Sequence, residues 1–207
     1  MKVLITCGPT WVPIDQVRVI SNTSTGLMGH VIADSFVKQG ASVTLLEGPV
    51  THVWTNKKVK IVKYCFFDEL AVQLKSLLKK KFDVVIHAAA VSDFKVVGAS
   101  HSKLDSSAAM TLKLTPTPKL VELIKKLSPQ SLLVSFKLES SLVKAIREAR
   151  QQLQHVNSDL VVANVTGKKY TVCLVDHHGK VIFKTSDKKI LADQLATLVA
   201  YHLKFVT

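Results

Sequence analysis

The sequence predicts an α/β protein: a Rossmann-like, doubly wound and mostly parallel sheet in a single domain, with a C-terminal hairpin. Two observations support this prediction. Short apolar runs alternate along the chain with segments of helical periodicity, as they do in consecutive βαβ units. One of the runs, Asp83–Ala88, is apolar at nearly every position, which is typical of a strand covered by helices on both faces.

The first half of the chain contains most of the predicted parallel strands. We predict strands at Lys2–Cys7, Ser42–Leu46, Val59–Val62 and Asp83–Ala88, and helices at Gly26–Gln39 and Phe67–Lys80. Gly40 follows the first helix, where glycine suits the left-handed conformation of a C-cap. Gly8–Thr25 is predicted as a long loop. Ala90–Met110 has no clear period, and an irregular stretch of that length is usually functional or mobile.

The second half continues the alternation and then changes to a hairpin. We predict strands at Thr111–Leu114, Ser131–Phe136 and Leu160–Asn164, helices at Pro118–Leu127, Glu139–Leu153 and Asp187–Leu203, and hairpin strands at Tyr170–Asp176 and Lys180–Lys184. In the last helix, Leu191, Leu195 and Leu198 are spaced by four and three residues, which indicates a buried face. No interdomain linker interrupts the pattern, so we predict one domain over residues 1–207.

Composition narrows the class of protein. Hydrophobic residues make up 47% and charged residues 21% of the 207 residues, values typical of a folded domain. No apolar run reaches the roughly 18 residues that a membrane helix needs, and the apolar start is shorter than that of a signal peptide. Cys7, Cys65 and Cys173 are odd in number and form no C-x-x-C pair, which argues against a disulfide framework or a zinc site. A cytoplasmic protein is predicted.

The formal net charge of +13 is the strongest compositional signal. It suits nucleic acid, an anionic membrane surface or small anionic molecules as partners. Much of the excess lies in Lys57–Lys60 and Lys79–Lys81, which solvated helix ends and loops would explain equally well. No aromatic residues alternate with these lysines as base-stacking surfaces require. A basic nucleic-acid-binding module therefore remains an alternative that rests on charge alone.

The first candidate for chemistry is the entry into the first helix. Asn22, Ser24 and Thr25 lead into Gly26, and a second glycine follows at Gly29. Free backbone N–H groups and the helix dipole make such an entry a binding site for anions. Ser, Asn and Thr are also ordinary N-cap residues, so this segment alone leaves a purely structural interpretation open.

Two further candidates follow the central strand. Small residues from Ala88 to Ala90 leave room for a ligand at the strand's carboxyl end, where doubly wound sheets bind theirs. Asp93 has the chemistry to accept hydrogen bonds from a sugar or base, or to form a turn. Lys103 lies in a polar loop, where lysines are usually solvated, but a mobile lysine can also close onto a phosphate. Pro118-Lys119 and Phe136 are weaker candidates for contacts with a phosphate or a base.

A nicotinamide oxidoreductase is a further alternative because the predicted fold is Rossmann-like. In that class the glycine-rich turn directly follows the first strand, whereas about 18 residues separate Gly8 from Gly26 here. A short-chain dehydrogenase also requires a tyrosine with a lysine four residues later. Tyr64, Tyr170 and Tyr201 are followed at that spacing by other residue types, which disfavours this alternative.

Several segments, taken together, occur in the order and spacing of one known family. They are Thr6–Thr10, Pro13–Arg18, Ile20–Gly26, Ala89–Phe94, Lys103-Leu104, Thr117–Leu120, Ser135–Glu139 and Val161–Asn164. Over nearly the whole chain this pattern resembles the phosphopantothenoylcysteine synthetase family, whose members are phosphopantothenate–cysteine ligases of coenzyme A biosynthesis. Many bacterial relatives carry a flavin-dependent decarboxylase ahead of this domain. Since the sequence begins at the ligase's first strand, a stand-alone bacterial type without flavin is expected.

The resemblance implies a reaction and roles for individual residues. The carboxylate of 4′-phosphopantothenate would be activated as an acyl nucleotidylate and then form an amide with cysteine. Asn22 and Lys103 would be the catalytic residues, with Asn22 orienting the acyl carbonyl and Lys103 neutralising phosphate charge. Ser24, Thr25 and Gly26 would join Asn22 in binding substrate. The resemblance implies that the nucleotide is bound by Gly8, Ala89, Ala90, Asp93, Lys103, Pro118, Lys119, Leu120, Val121 and Phe136.

The resemblance also implies partners. They are the small-molecule substrates, a nucleoside triphosphate carried with Mg²⁺ and a second copy of the chain in a homodimer, with no protein metal site. CTP is the predicted nucleotide, because the chain resembles the stand-alone bacterial type. ATP is the alternative, because two lysines common in CTP-using relatives are replaced by Gln152 and Val156. Arg147, Arg150 and His155 are the candidates to substitute for those lysines.

Overall fold

The computed structural model describes residues 1–51, 53–107, 109–165 and 170–205. Its centre is an eight-stranded sheet in the order β12-β11-β10-β9-β6-β1-β4-β5. The strands are β1 Lys2–Cys7, β2 Trp11–Pro13, β3 Val19–Ser21, β4 Ser42–Glu47, β5 Val59–Lys63, β6 Val84–His87, β7 Phe94–Val96, β8 Leu114–Pro116, β9 Leu132–Glu139, β10 Leu160–Val165, β11 Thr171–Asp176 and β12 Val181–Thr185. The helices are α1 Leu27–Lys38, α2 Phe67–Leu77, α3 Leu120–Leu127, α4 Leu142–Val156 and α5 Lys188–Phe205, with a 3₁₀ turn at Leu78–Lys80. The predicted fold class is confirmed.

The strand order reverses next to β1. After β1 the chain adds β4 and β5 on one side, and then crosses to add β6, β9 and β10 on the other. Every pairing among these six strands is parallel. In such a sheet the crevice outside the carboxyl ends at the reversal is where ligands bind. The functional site is therefore expected at the ends of β1 and β6.

Both faces of the sheet are covered by helices. On one face Val3, Ile5 and Val84 pack in a buried cluster that includes residues of α1 and α5. Leu191 and Leu195 are fully buried there and Leu198 is partly buried, which confirms the apolar face predicted for the last helix. On the other face the core includes residues of α2 and α3. The central strands β1 and β6 are therefore apolar along most of their length, because they contribute side chains to both cores.

The C-terminal hairpin is also confirmed. β11 pairs antiparallel with both β10 and β12, so the hairpin extends the sheet at one edge. Asp176 closes the turn because its carboxylate accepts from the backbone N–H groups of His178 and Lys180. Gly179 has a φ of +75°, a left-handed conformation that glycine adopts at little cost.

Several predicted element bounds were wrong, for identifiable reasons. The long loop after β1 contains the β2–β3 hairpin, and the irregular stretch contains β7, which pairs with β8 at Leu114–Pro116 instead of Thr111–Leu114. These strands of three residues are too short to show a period. β9 continues to Glu139 because its last residues pair with Ala163–Val165 of β10, and α4 consequently begins at Leu142.

A buried polar cluster lies away from the carboxyl ends of β6 and β9. His30 of α1 bonds to Glu47 at the end of β4, and Lys63 of β5 bonds to the same carboxylate. Trp54 stacks on the His30 ring with centroids 4.5 Å apart. Cys7 lies within 4.8 Å of the His30 and Glu47 ligand atoms, and burial raises the pKa of its thiol to about 12. A protonated thiol beside an already paired carboxylate suits a structural cluster that fastens α1 to the sheet.

The surface lysines behave as solvated residues. Lys57, Lys58, Lys60 and Lys79–Lys81 are all exposed. Within the described ranges, every helix is too short or too polar to cross a lipid bilayer.

Candidate active site

A cleft of about 1040 Å³ opens at the carboxyl ends of β6, β9 and β10. The amino-terminal ends of α1, α3 and α5 border it, and so does one face of α4. Most residues predicted to bind ligands line this cleft: Asn22, Ser24, Thr25, Gly26, Ala89, Ala90, Asp93, Pro118, Lys119, Leu120, Val121 and Phe136. The cleft therefore lies at the expected carboxyl edge of the sheet and includes the end of β6, but it extends over β9 and β10 and no residue of β1 lines it.

The amino terminus of α1 forms one wall. Gly26 has a φ of +73°, and its backbone N–H lies 3.4 Å from Ser24 Oγ. Leu27 N–H is capped only loosely, with Thr25 Oγ1 at 3.4 Å. No acidic residue lies in the first helical turn. This end of the helix keeps its partial positive charge facing the cleft, which suits an anionic ligand group.

Gly29 allows α1 to approach the sheet. A Cβ built on Gly29 would lie 2.2 Å from the Cβ of Cys7, closer than two real atoms can come. The helix therefore packs directly against the last residue of β1. This close approach explains why a glycine is required in the first turn of α1. The role of Gly29 is therefore in packing.

Asn22 closes over the segment that follows β6. Its Nδ2 group donates to the carbonyl oxygens of Ala90 at 3.1 Å and Val91 at 3.2 Å. Both amide hydrogens are then in use, which leaves Oδ1 to accept from a ligand. The predicted role in orienting an acyl carbonyl needs a donor. In that role Asn22 would exchange one of these two carbonyl bonds for the ligand.

Residues that follow β1 hold the segment after β6 in place through hydrogen bonds. Ala90 N–H donates to the carbonyl of Gly8 at 2.9 Å, and Ser92 N–H donates to Thr10 Oγ1 at 2.9 Å. Gly8 is buried and is not among the cleft-lining residues, so the structure places it beneath the predicted nucleotide site. Asp93 forms an ion pair with Lys119 at 2.5 Å, which joins two predicted nucleotide ligands across the opening of the cleft.

Lys103 lies outside the cleft. Its side chain is exposed, and it is not among the lining residues. The neighbouring residue is firmly held, because Leu104 N–H donates to Asp15 at 3.1 Å and the Leu104 carbonyl accepts from Arg18 at 3.2 Å. Backbone donation from Val17, joined by Leu104 and Arg18, lowers the pKa of the buried Asp15 carboxyl. The predicted role of Lys103 thus requires the loop to move toward the cleft.

The wall opposite β6 contains polar groups that sequence analysis missed. The side-chain oxygens of Asn164 and Tyr170 are buried and have no hydrogen-bond partner among the described residues. Lys188 Nζ lies 5.3 Å from the centroid of the Tyr170 ring. Both residues line the cleft, where their oxygens can form hydrogen bonds with a polar ligand group. Asn164 belongs to the family motif Val161–Asn164, and this was the feature of the sequence that could have identified it.

Only some of the residues predicted to substitute for the missing lysines lie at the cleft. His155 lines the cleft together with Gln151 and Gln152. Arg147 instead pairs with Glu148 at 3.2 Å, and Arg150 donates to the Gly179 carbonyl at 2.9 Å. Of the three candidates, His155 alone is among the cleft-lining residues.

The described part of the cleft lining carries lysines and carboxylates in similar number. Among the residues that the structure describes, three lysines line it, Lys119, Lys137 and Lys188, against the four carboxylates of Asp93, Glu122, Glu139 and Glu148. Most of these carboxylates are paired with lysines, as in Glu139 with Lys144 at 2.8 Å. Most of the lysines and arginines that the structure describes therefore lie outside the cleft lining, and within that described lining helix ends and individual lysines attract anions.

His87 is a buried residue of the cleft floor that sequence analysis did not single out. It ends β6, is 8% exposed, and its Nδ1 lies 2.9 Å from Thr6 Oγ1. Burial lowers the pKa of His87 to about 4. The ring is therefore neutral at physiological pH. Its strand position gave no signal in the sequence because it lies within an otherwise apolar run.

The buried His87 predicts a pH dependence of stability. Between pH 6.5 and about 4 the unfolded chain binds a proton at this ring that the folded chain excludes. The free energy of unfolding should therefore fall as the pH falls, by at most about 1.4 kcal/mol per pH unit from this group. Urea unfolding at several pH values measures this free energy. Its dependence on pH in this range should be weaker for His87→Gln than for the unmodified protein. An unchanged slope would contradict the prediction.

The comparisons with known proteins fit this site. Residues 1–203 match the DNA/pantothenate metabolism flavoprotein C-terminal domain family. The chain belongs to this family. A solved DNA/pantothenate metabolism flavoprotein from Streptococcus pneumoniae has a TM-score of 0.85 and 25% identity, with 98% of this chain and 100% of that chain covered. The resemblance inferred from the sequence motifs is thereby confirmed.

Curated members of the family give the same result. The coenzyme A biosynthesis bifunctional protein CoaBC of Thermococcus kodakarensis is 41% identical over 169 residues, which are 79% of this chain and 41% of that protein. CoaBC of Haemophilus influenzae is 31% identical over 203 residues, 97% of this chain and 50% of that protein. This chain thus spans half or less of the length of these two relatives. A solved C-terminal domain of CoaBC has a TM-score of 0.82 and 26% identity, with 98% of this chain and 95% of that chain covered.

Proposed function

We propose that this chain is a phosphopantothenate–cysteine ligase of coenzyme A biosynthesis that acts through an acyl nucleotidylate. Membership of the flavoprotein C-terminal domain family supports the reaction class. The observation that carries the proposal is the cleft at the strand reversal, where Asn22 is fixed over Ala90 and Val91 beside the α1 amino terminus. This arrangement offers anion-binding backbone groups and an oriented amide at one place.

In the first step the carboxylate of 4′-phosphopantothenate attacks the α-phosphorus of the nucleotide. A new bond joins carboxylate oxygen to phosphorus, and the bond to the bridging oxygen breaks, so that pyrophosphate leaves. Both reactants are anions, and catalysis is mainly positioning and charge stabilisation. The α1 amino terminus, Lys119 and Lys188 supply positive charge along the cleft.

In the second step the amine of cysteine attacks the acyl carbon. The carbon–oxygen bond to the nucleotide breaks, the nucleoside monophosphate leaves, and the nitrogen loses a proton to give the amide. Asn22 would hold the acyl group for this attack. During this attack negative charge develops on the carbonyl oxygen of the acyl group, and hydrogen-bond donors at that oxygen stabilise it.

The cleft suits a metal ion that arrives with the nucleotide. Mg²⁺ prefers oxygen ligands and usually keeps several waters while binding one or two carboxylates together with phosphates. Glu122, an exposed carboxylate of the lining, could supply one such oxygen. When bound, Mg²⁺ would screen the charge of the triphosphate. CTP remains the proposed nucleotide and ATP the alternative.

The proposal includes a homodimer in the cytoplasm, with small molecules as the other partners. The apolar side chains of Val19, Ile20, Phe94 and Leu114 are exposed on the β2–β3 and β7–β8 hairpins, which contact each other through β2 and β7. Exposed apolar clusters of this kind mark protein interfaces. The hairpin of β11 and β12 at the sheet edge is a second option for the contact. Light scattering after a Phe94→Asp substitution would distinguish the two surfaces.

The direct test is a nucleotide-resolved assay of pyrophosphate release. The protein is incubated with phosphopantothenate, cysteine and Mg²⁺ and with each of CTP, ATP, GTP and UTP. We expect one equivalent of pyrophosphate for each amide formed, with CTP as the fastest nucleotide. If no nucleotide gave pyrophosphate, the proposed function would be wrong.

Loop closure by Lys103 gives a separate prediction. Lys103→Ala should lower kcat by roughly 10- to 100-fold with a smaller change in KM, because the contact would form only as the reaction proceeds. Lys113→Ala is the matched control, since Lys113 is also an exposed lysine outside the cleft lining. Steady-state kinetics of both variants test the role, and equal, near-normal rates would remove it.

A further inference from the structure

His87 is a buried titratable residue of the cleft that the proposed mechanism does not use. It ends β6, immediately before the segment from Ala88 to Val91 that Asn22 covers. It lines the cleft, although the residue is only 8% exposed. His87 and Asn22 thus approach the same four-residue segment from its two ends.

The hydrogen bonds around Thr6 fix the ring's tautomer. Ala89 N–H donates to Thr6 Oγ1 at 3.2 Å, and Thr6 Oγ1 lies 2.9 Å from His87 Nδ1. Thr6 is fully buried. If its hydroxyl accepted from both neighbours, its own hydrogen would be buried without a partner. The Thr6 hydroxyl and His87 Nδ1 are both paired when Thr6 donates to Nδ1, which places the ring's proton on Nε2 and leaves that N–H for a ligand.

We infer that His87 is a further substrate-binding residue of this site, whose Nε2–H donates to the acyl oxygen that derives from the substrate carboxylate. The inference rests on the proposed function. A neutral donor suits both steps, since it orients the carboxylate without cancelling the negative charge that makes it nucleophilic. It then stabilises the charge that develops on the same oxygen when the amine attacks.

This role predicts an unequal effect on the two half-reactions. His87→Leu should slow amide formation by roughly 100-fold, as expected for loss of one donor to a developing oxyanion. Nucleotide transfer should change by only a few-fold, so the acyl nucleotide should accumulate. A residue that merely supported the fold would slow both steps together or weaken binding. His87→Gln retains a donor near the position of Nε2 and should recover part of the lost rate.

Two measurements test the assignment. Rapid-quench single turnovers would follow pyrophosphate and amide separately in the unmodified protein and in both variants. Equal slowing of the two steps in His87→Leu, or no slowing, would overturn the inference. Absence of pyrophosphate from the unmodified protein would overturn the proposed function beneath it.

The tautomer can be measured without any substrate. Long-range ¹H–¹⁵N NMR of the unmodified protein between pH 6 and 8 should show Nδ1 unprotonated and Nε2 protonated. Thr6→Val, which keeps the shape of Thr6 but removes the hydroxyl, should allow the other tautomer to appear. A proton on Nδ1 in the unmodified protein would overturn the inference.

Discussion

Asn22→Asp is expected to reduce amide formation by roughly 10²- to 10³-fold, the loss expected when a donor to a developing oxyanion is removed. In the unmodified protein the Asn22 side chain donates to the carbonyls of Ala90 and Val91. A carboxylate cannot donate to either oxygen and is repelled by both. The variant should still release pyrophosphate in a first turnover and accumulate the acyl nucleotide, although its added negative charge should weaken binding of the triphosphate.

Asn22→Ala is the matched variant for this experiment. It removes the same two donors without adding charge, so it should lose amide formation similarly and bind the nucleotide better than the aspartate variant does. Rapid-quench analysis with labelled phosphopantothenate measures both steps. Normal amide formation by either variant would show that Asn22 does not act on the acyl group.

Gly29→Ala is expected to destabilise the protein by roughly 2–3 kcal/mol, a typical cost of overpacking. In an open helix, alanine would instead stabilise relative to glycine by about 1 kcal/mol. Here the new methyl group would lie 2.2 Å from Cys7 Cβ, which is fixed by the central strand β1. The helix must therefore move away from the sheet, which also shifts the anion-binding end of α1. Urea unfolding measures the stability change.

Two variants isolate the cause of this loss. A Cβ on Gly40 would meet nothing within 4 Å, so Gly40→Ala should cost only the roughly 1–2 kcal/mol of a left-handed conformation. The double variant Cys7→Gly with Gly29→Ala removes the colliding Cβ, and its destabilisation should be smaller than the sum of the two single effects. Additive losses would show that the contact between α1 and β1 is not the cause.

Much of this architecture could be predicted because buried strands and amphipathic helices leave periods in a sequence. Asp83–Ala88 and the leucines of α5 are examples, and both were placed correctly. The β2–β3 and β7–β8 hairpins could not be predicted, because strands of three residues have no measurable period and their pairing is set by neighbours distant in sequence.

Only part of the candidate site could be predicted from the sequence. Residues in ordered motifs, such as Asn22 and Asp93, do line the cleft. His87 and Tyr170 could not be found, because a histidine at a strand end and a tyrosine before a hairpin look structural until their neighbours are known. The charge of the cleft was also unpredictable, since it depends on which carboxylates fold toward the lysines.

The proposed mechanism requires activation of the substrate carboxylate by attack on the α-phosphorus. It can be tested by supplying phosphopantothenate with ¹⁸O in the carboxylate, together with cysteine, Mg²⁺ and the preferred nucleotide. We expect one ¹⁸O atom in each nucleoside monophosphate formed and none in pyrophosphate, as measured by mass spectrometry. Label in inorganic phosphate, with a nucleoside diphosphate as the other product, would show attack at the γ-phosphorus and contradict the proposed mechanism.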